Sequence, residues 1–299
     1  MATYTTYDTV GIKEDVSDTI SNLTPTKTPF LSLIGSDKTK SRKFEWLEDS
    51  LADPRDNAQV EGFEASDATL TPPAMRENYT QILEKTFKIS ETEDAVDQYG
   101  RAKETAYQTV KAGKELKRDL EHAFVGIDQA GVLSTSNVAR RTASATQMVD
   151  AAVTVTADGG AGAPAALSEA MVLQAGQAGY EEGSEPTYLM IKPADSLVVA
   201  GFTNSAGRTR EIDGDSRKIV NVIDLYVSPF GEYKVVLNRQ LLATVAWLLD
   251  PEMWQNVTLR NWTRTPLAKT GDSNRQMLVG EFGLKNKNFK SSPLIKNLL

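Results

Sequence analysis

The stretch ETEDAVDQYGRAKETAYQTVKAGKELKRDLEHAFV, residues 91–125, carries the strongest local pattern in this 299-residue chain. Its apolar and small side chains recur every three or four residues, the spacing of one helix face: Val96, Tyr99, Ala102, Ala106, Val110, Gly113, Leu116, Leu120 and Phe124. The pattern predicts one continuous helix about 50 Å long, since each residue adds about 1.5 Å. Such a helix exceeds the width of a small domain, so we expect other elements to be mounted on it.

Signals at the ends of this segment also fit a helix. Ser90 followed by Glu93 is the capping-box pattern that starts a helix. Acidic residues lie mainly in the first turns and basic residues later, so that both interact favourably with the helix dipole. Because the later bases Lys111, Lys114 and Arg118 alternate with acids, we interpret them as a solvated or subunit-facing surface rather than a nucleic-acid stripe.

Residues 43–90, immediately before the helix, indicate a long β excursion. Residues 43–46 alternate polar and apolar side chains, and residues 79–89 resemble a returning strand. The acidic stretch 48–64 and several turn signals lie between them. A connection of about 30 residues is too long for an ordinary hairpin, so we expect a loop that is either functional or disordered unless another surface orders it.

Residues 1–42 have the features of an arm. Apolar residues at helical spacing predict a short amphipathic helix over residues 12–23, and Pro25 and Pro29 end it. The apolar run FLSLI, residues 30–34, has no partner nearby in the sequence. We therefore expect it to dock on a distant part of the structure.

Downstream of the helix, residues 126–165 are rich in Gly, Ala, Ser and Thr and predict a linker or loop. The patterns that follow predict helices over 166–179 and 194–200, strands over 188–191, 219–227 and 233–237, and a buried element over 241–249. Two more strands, 252–263 and 275–284, are joined by the turn-rich residues 267–273. This mixture predicts an α+β fold.

Composition excludes several classes of chemistry. With no cysteine and one histidine, His122, the chain cannot form disulfides, Cys-ligated metal sites or a three-His metal site. A net charge of −7 argues against a grip on duplex nucleic acid. We find no signal-peptide pattern, and the longest apolar stretch is about half of what a bilayer span needs. We therefore expect a soluble protein made inside a cell, with no membrane partner.

Catalytic and cofactor motifs fail one by one. Gly160-x-Gly162 lacks the third glycine of a dinucleotide site, and Asp213-Gly214-Asp215 lacks the closing Glu of a calcium loop. Carboxylate pairs are numerous, and a glycosidase needs only two carboxylates. A carboxylate-based hydrolase with a deep acidic cleft therefore stays an alternative, but we predict no catalytic, cofactor or metal site.

The order of arm, acidic β loop, long helix, mixed domain and terminal strand pair resembles the major capsid proteins of tailed bacteriophages, which have the Hong Kong 97-like fold. Individual strings are also similar to that family: TPFLSLIG (28–35), EWLEDSL (45–51), NYTQI (78–82), AVD (95–97), GR (100–101), GKELKRD (113–119), VNVIDLYVS (220–228) and LAKTGDS (267–273). The resemblance covers nearly the whole chain.

The resemblance implies a division into six parts: N-terminal arm 1–42, extended β loop 43–90, peripheral domain with the spine helix 91–149, axial domain 150–254, peripheral strand pair 255–285 and C-terminal tail 286–299. It implies that the loop lies over a neighbouring copy and that axial domains meet around five- and six-fold axes. The function implied is structural: self-assembly, in the host cytoplasm, of pentamers and hexamers into the icosahedral head shell of a virion.

Such a shell encloses double-stranded DNA without binding it specifically, and scaffold, portal and decoration proteins are its possible partners. The implied subunit contacts lie in the arm, loop and spine helix: Phe30, Leu31, Trp46, Glu48, Asp49, Arg55, Glu61, Glu64, Arg101, Lys111, Lys114 and Arg118. Two alternatives share part of this interpretation, namely the shell of an encapsulin-type bacterial nanocompartment, which has the same fold, and a virion decoration protein.

Overall fold

The computed structural model describes residues 24–52, 54–65, 67–96, 103–135, 137–160, 162–202 and 225–299. Its helices are α1 Pro29–Leu33, α2 Glu91–Ala95, α3 Glu104–Glu121, α4 Glu169–Glu181 and α5 Ser196–Ala200. Its strands are β1 Gly35–Lys38, β2 Lys43–Glu48, β3 Ala74–Tyr79, β4 Gln81–Ser90, β5 Thr154–Thr156, β6 Tyr188–Ile191, β7 Leu225–Ser228, β8 Gly231–Leu237, β9 Val245–Leu249, β10 Trp254–Pro266, β11 Ser273–Asn286 and β12 Leu294–Lys296. Short 3-10 turns and one π-helical turn, His122–Gly126, complete the list.

The prediction of one continuous helix over 91–125 is wrong. Ser90 caps α2 as predicted, its hydroxyl accepting a hydrogen bond from Glu93 N at 3.2 Å, but α2 ends at Ala95 and Val96 is extended. The spine is α3, whose 18 residues span about 27 Å. The periodic pattern could not reveal the break, because helix-compatible spacing continues through Val96, whose backbone is extended.

The predicted apolar stripe is correct only in its second half. Leu116, Leu120 and Phe124 are buried, whereas Val96 and Val110 are more than half exposed. Of the remaining predicted stripe residues, 99 and 102 lie outside the described ranges. The first half of α3 therefore leaves an apolar side chain, Val110, beside an open groove rather than in the core.

A four-stranded sheet carries this spine. Its order is β1-β10-β11-β4, with β10 and β11 forming the long antiparallel hairpin that the sequence predicts. β4 pairs antiparallel with β11, and β1 pairs parallel with β10. Large apolar side chains fill the adjoining core: Phe30, Leu120, Phe124, Met148, Trp247, Trp254, Phe282 and Leu284.

The second large sheet has six strands in the order β5-β12-β9-β6-β8-β7. All five side chains of β9 are buried, as expected for the apolar run 241–249. Helix α4 begins at the cap Ser168 and packs against this sheet, close to the range predicted for it. β12 comes from the C-terminal tail and lies between β5 and β9, so the tail belongs to this sheet. Residues 219–224 of the predicted strand lie outside the described ranges.

The arm and linker boundaries need correction. The apolar run 30–34 does dock on a distant partner, because the Phe30 ring meets Trp254 edge-on at 5.8 Å. Since β1 then pairs with β10, residues 28–38 belong to the body of the subunit and not to a free arm. Likewise 126–165 is not a linker, since it contains β5, two 3-10 turns and two isolated bridges. The predicted helix over 12–23 lies outside the described residues.

Glu121, fully buried at the end of α3, joins three parts of the fold. Its two carboxylate oxygens accept hydrogen bonds from Phe30 N at 2.9 Å and Leu31 N at 2.8 Å, and Asn238 Nδ2 adds a third at 2.7 Å. One side chain thus ties α1, α3 and the segment after β8 together. Burial raises the pKa of the Glu121 carboxyl above its ordinary value, although the three donors act in the opposite direction.

We predict that this carboxyl makes stability depend on pH. A carboxyl with a raised pKa in the folded state binds its proton more readily when folded, so its contribution favours folding at low pH and declines as the pH rises through the folded pKa. Urea unfolding of the unassembled subunit at about pH 7 and about pH 5 is expected to show wild type gaining stability relative to Glu121→Gln at the lower pH. An unchanged difference between the two proteins would contradict this.

Among the described residues, no helix is long and apolar enough to cross a membrane.

Candidate functional site

The extended loop is a two-stranded hairpin with a long, irregular tip. β2 pairs antiparallel with β3, from Lys43 opposite Tyr79 to Glu48 opposite Ala74. The predicted return strand over 79–89 is therefore wrong in its partner: of those residues only Tyr79 pairs with β2, whereas residues 81–89 belong to β4 of the four-stranded sheet. Residues 74–79, AMRENY, do not alternate polar and apolar side chains, so no sequence pattern marked them as the partner of β2.

The tip, residues 49–73, is exposed at every described position and forms no helix or strand. It carries four strongly exposed apolar side chains: Leu51, Val60, Phe63 and Leu70. The predicted contact residues Asp49, Arg55, Glu61 and Glu64 lie in the same stretch and are all exposed. The tip thus presents both apolar and acidic groups to the surroundings of the subunit.

The base of the hairpin packs on the subunit itself. Phe44 and Trp46 stack at 5.9 Å and form a small buried cluster with Val257, against which Phe289 packs. At Gly283 the backbone of β11 comes so close that an added Cβ would lie 2.6 Å from the Phe44 ring. Trp46, predicted as a subunit contact, is only 9% exposed and serves this internal packing instead.

Glu48 also has partners within the subunit. Its carboxylate pairs with Arg76 Nε at 2.5 Å and accepts a hydrogen bond from Phe289 N at 3.2 Å. The Arg76 guanidinium lies 4.2 Å from the centre of the Phe289 ring, a cation–π contact. On the outer edge of the same hairpin Lys43 bridges Glu45 and Glu77, and this ammonium lowers the pKa of the Glu77 carboxyl.

A second surface lies on α3. Lys111 and Lys114 are exposed and Arg118 is partly exposed, and they line a groove of about 280 Å³ together with Tyr107, Val110, Glu115 and residues 24–26. The one acid in this lining, Glu115, pairs with Lys85 at 3.3 Å, so the groove is basic. Of the remaining predicted contacts, Leu31 is partly buried, Phe30 is 1% exposed inside the core, and Arg101 lies outside the described residues.

The hydrolase alternative requires an acidic cleft whose lining can bind a substrate. An acidic hollow of about 380 Å³ is lined by Glu182, Glu185, Asp250 and Glu252, and burial raises the pKa of Asp250. None of its lining residues is aromatic, unlike a typical substrate pocket, and Lys290 pairs with Glu182 at 2.6 Å. Among all the residues that the structure describes, no group of three His, Asp or Glu side chains is placed to hold a metal ion.

Comparison with known proteins assigns this architecture to a family. The model of the family described as SU10 major capsid protein matches residues 2–299. The chain belongs to this family. The major capsid protein of Escherichia phage Phieco32 is 30% identical over 330 aligned positions, which cover 95% of this chain and 94% of the relative.

Solved capsid structures have the same fold as this SU10-family capsid protein. The capsid of a native GTA particle superposes with a TM-score of 0.64 at 14% identity, covering 96% of both chains. A structure from Microbacterium phage Oxtober96 gives a TM-score of 0.64 at 11% identity, again with 96% of both chains covered. The α+β, Hong Kong 97-like fold implied by the sequence is therefore confirmed, as is the identification as a major capsid protein.

The SU10-family assignment decides which kind of site to expect. A major capsid protein of a tailed phage forms the head shell, and the family is a structural one rather than an enzyme class. Of the alternatives, neither the nanocompartment shell nor the decoration protein gains support from the family match. The surfaces that matter are therefore those that contact other copies.

Sequence reasoning missed the residues at the root of the hairpin. Thr80, Arg140 and Glu281 are linked there by side-chain hydrogen bonds, and Asn78 beside them bonds Thr142, in each case across 60 or more positions of sequence. No local pattern marks such a set, because its partners come from three separate segments. The NYTQI string, which resembles the capsid family, was the available signal for two of them.

Proposed function

We propose that the tip of the extended loop, residues 49–73, binds the surface of a neighbouring copy, and that repetition of this contact closes pentamers and hexamers into an icosahedral shell. The observation that carries the proposal is that every described residue of the tip is exposed. Four large apolar side chains remain in water in the isolated subunit. Burying them contributes about 25 cal/mol per Å² of apolar surface, which favours a partner that covers them.

Charge supports two contact surfaces on each copy. The sequence of the tip has six acids, Asp49, Glu61 and Glu64 among them, and one base, Arg55, whereas the groove on α3 carries Lys111, Lys114 and Arg118. Opposite charges steer partners together and disfavour wrong pairings, while two tips repel each other. We therefore keep these exposed residues, with Leu31, as proposed subunit contacts, and drop the internally packed Phe30 and Trp46.

The two sheets support the division into a peripheral and an axial domain that the family resemblance implies. We assign the four-stranded sheet with α3 to the peripheral domain, and the six-stranded sheet, including the tail strand β12, to the axial domain around five- and six-fold axes. A net charge of −7 suits a wall that encloses double-stranded DNA without adhering to it. The same proposal includes assembly in the host cytoplasm and the lack of catalysis. It also includes scaffold, portal and decoration proteins as partners.

Charge reversal in the tip tests the proposal. We expect full-length Glu61→Lys/Glu64→Lys to raise the concentration needed for shell assembly at least about tenfold, which corresponds to about 1.4 kcal/mol per subunit. Negative-stain electron microscopy and sedimentation velocity measure the shells. The control Glu61→Gln/Glu64→Gln removes the charge without reversing it and should give a smaller effect.

Both variants should leave the melting temperature of the unassembled subunit unchanged, since the two side chains are exposed. Shells of normal yield from the Lys variant would refute the contact assigned to the tip.

A further inference from the structure

One strand of the extended hairpin, β3, passes into the body through a single buried residue, Thr80. β3 ends at Tyr79 and β4 begins at Gln81 in a different sheet, so Thr80 stands at the point where the chain changes sheets. Thr80 is fully buried, and its N–H donates to Arg42 O at 3.0 Å, which holds the two strands of the hairpin together at their root. What holds Thr80 therefore acts, together with the packing of Phe44 and Trp46 at the base, on the direction in which the hairpin leaves the body.

Arg140, from the segment between α3 and β5, holds the backbone of Thr80. Its Nε donates to Thr80 O at 2.5 Å, and its Nη2 donates to Glu281 Oε1 on β11. The Thr80 hydroxyl donates to the same Glu281 oxygen at 2.7 Å. Glu281 is only 3% exposed, so this network lies away from water, where hydrogen bonds to charged groups are strong and an unpaired charge is costly.

Asn78 holds the other side of the root. Its amide nitrogen donates to Leu284 O at 2.6 Å and to Thr142 Oγ1 at 3.0 Å, and its amide oxygen accepts from Ala143 N at 2.8 Å. Antiparallel bridges, Val132 with Arg141 among them, keep the segment that carries these partners folded back on itself. Residues of β11 and of this folded segment thus hold the root of the hairpin, and neither element is part of the hairpin itself.

We propose that Arg140 and Glu281 are positioning residues that fix the direction of the extended hairpin relative to the four-stranded sheet. Arg140 spans the Thr80 carbonyl and the Glu281 carboxylate at once, which the planar guanidinium can do and a lysine ammonium, as a single point charge, does poorly. The role of this clamp in assembly rests on the proposed function, because a hairpin of fixed direction holds its tip in the orientation that binds the neighbouring copy. The clamp itself is a property of the unassembled subunit.

Distance measurement between two spin labels tests the clamp directly. The chain has no cysteine, so Met75→Cys on the hairpin and Thr265→Cys on β10, both exposed, give one defined pair of labels. Pulsed electron paramagnetic resonance of unassembled subunits is expected to give a narrow distance distribution in the doubly labelled parent. Adding Arg140→Met should shift or broaden it, and Arg140→Lys should do so as well.

Arg260→Met is the matched control. Arg260 pairs with the same Glu281 carboxylate at 3.0 Å, but its side chain is 54% exposed and it lies on β10 rather than against Thr80. We expect its distribution to match the parent. If Arg140→Met fails to fold, Arg140→Lys, with thermal melting as a check, still decides the question.

An unchanged distribution in a folded Arg140 variant would overturn the clamp. So would equal broadening in Arg260→Met, because that would show a general loosening of the sheet. Failure of the lattice role of the tip would appear elsewhere, as normal shells from Glu61→Lys/Glu64→Lys, so the two proposals fail separately.

Discussion

Replacing residues 49–73 by Asn-Gly is expected to abolish shell formation while leaving a folded subunit. Glu48 and Ala74 are paired neighbours at the end of the hairpin, and a two-residue Asn-Gly turn closes such a pair. Every described residue removed is exposed, so the core loses nothing. Electron microscopy and sedimentation velocity should detect no particles, and circular dichroism should show a melting transition close to that of wild type.

A full-length control separates the loss of contact from the loss of chain. Replacing Leu51, Val60, Phe63 and Leu70 by Ser keeps the length of the tip and removes its exposed apolar surface. We expect this variant to be strongly impaired in assembly as well. Normal particles from the shortened chain would show that the tip is not an element of the lattice.

Leu116→Asp is expected to prevent folding of the subunit. Leu116 is 1% exposed on the inner face of α3, and an unpaired carboxylate there costs several kcal/mol, a large part of the roughly 5–15 kcal/mol that holds a domain together. Solubility, circular dichroism and thermal melting of the expressed chain measure the effect. A variant that melts like wild type would refute the inward orientation of this face.

Val110→Asp is the control for the same helix. Sequence periodicity places Val110 and Leu116 on one stripe, yet Val110 is 60% exposed beside the basic groove. We expect Val110→Asp to keep the melting temperature of wild type within a few degrees, since surface substitutions usually change stability by less than about 0.5 kcal/mol. The contrast between two residues of one predicted stripe tests the structure rather than the pattern.

Elements that depend on local signals were predicted well. The cap at Ser90, helix α4 and the strand β6 all appear at or close to where the sequence predicts them. The hairpin of β10 and β11 also follows its alternation and turn signals. In each case the residues that decide the structure are close together in the chain.

Elements that depend on distant partners were predicted less well. The pairing of β2 with β3 rather than with residues 81–89 depends on the pairing of those residues with β11. The burial of Phe30 depends on Trp254, more than two hundred positions away. Periodicity reports which face of an element is apolar, but it does not report what lies across from that face.

The same limit applies to the contact surfaces. The acidic tip residues Asp49, Glu61 and Glu64 were recognisable because a long polar connection has no reason to be buried. Trp46 and Glu48 looked equivalent to them in the sequence. Inside the subunit, however, Trp46 packs against Phe289 and Glu48 pairs with Arg76. An exposed and an internally satisfied side chain differ only in their neighbours.

By itself the amino-acid sequence determined the family, the α+β class and the absence of cysteine and multi-histidine chemistry, since these depend on residue identity and short strings. Only the tertiary structure decided where the spine begins, which strand closes the extended hairpin and which charges are held internally. Glu121 and Glu281 show the reason: each buried carboxylate takes its donors from segments far apart in the chain. Burial and hydrogen bonding are properties of pairs of residues, and those pairs exist only after folding.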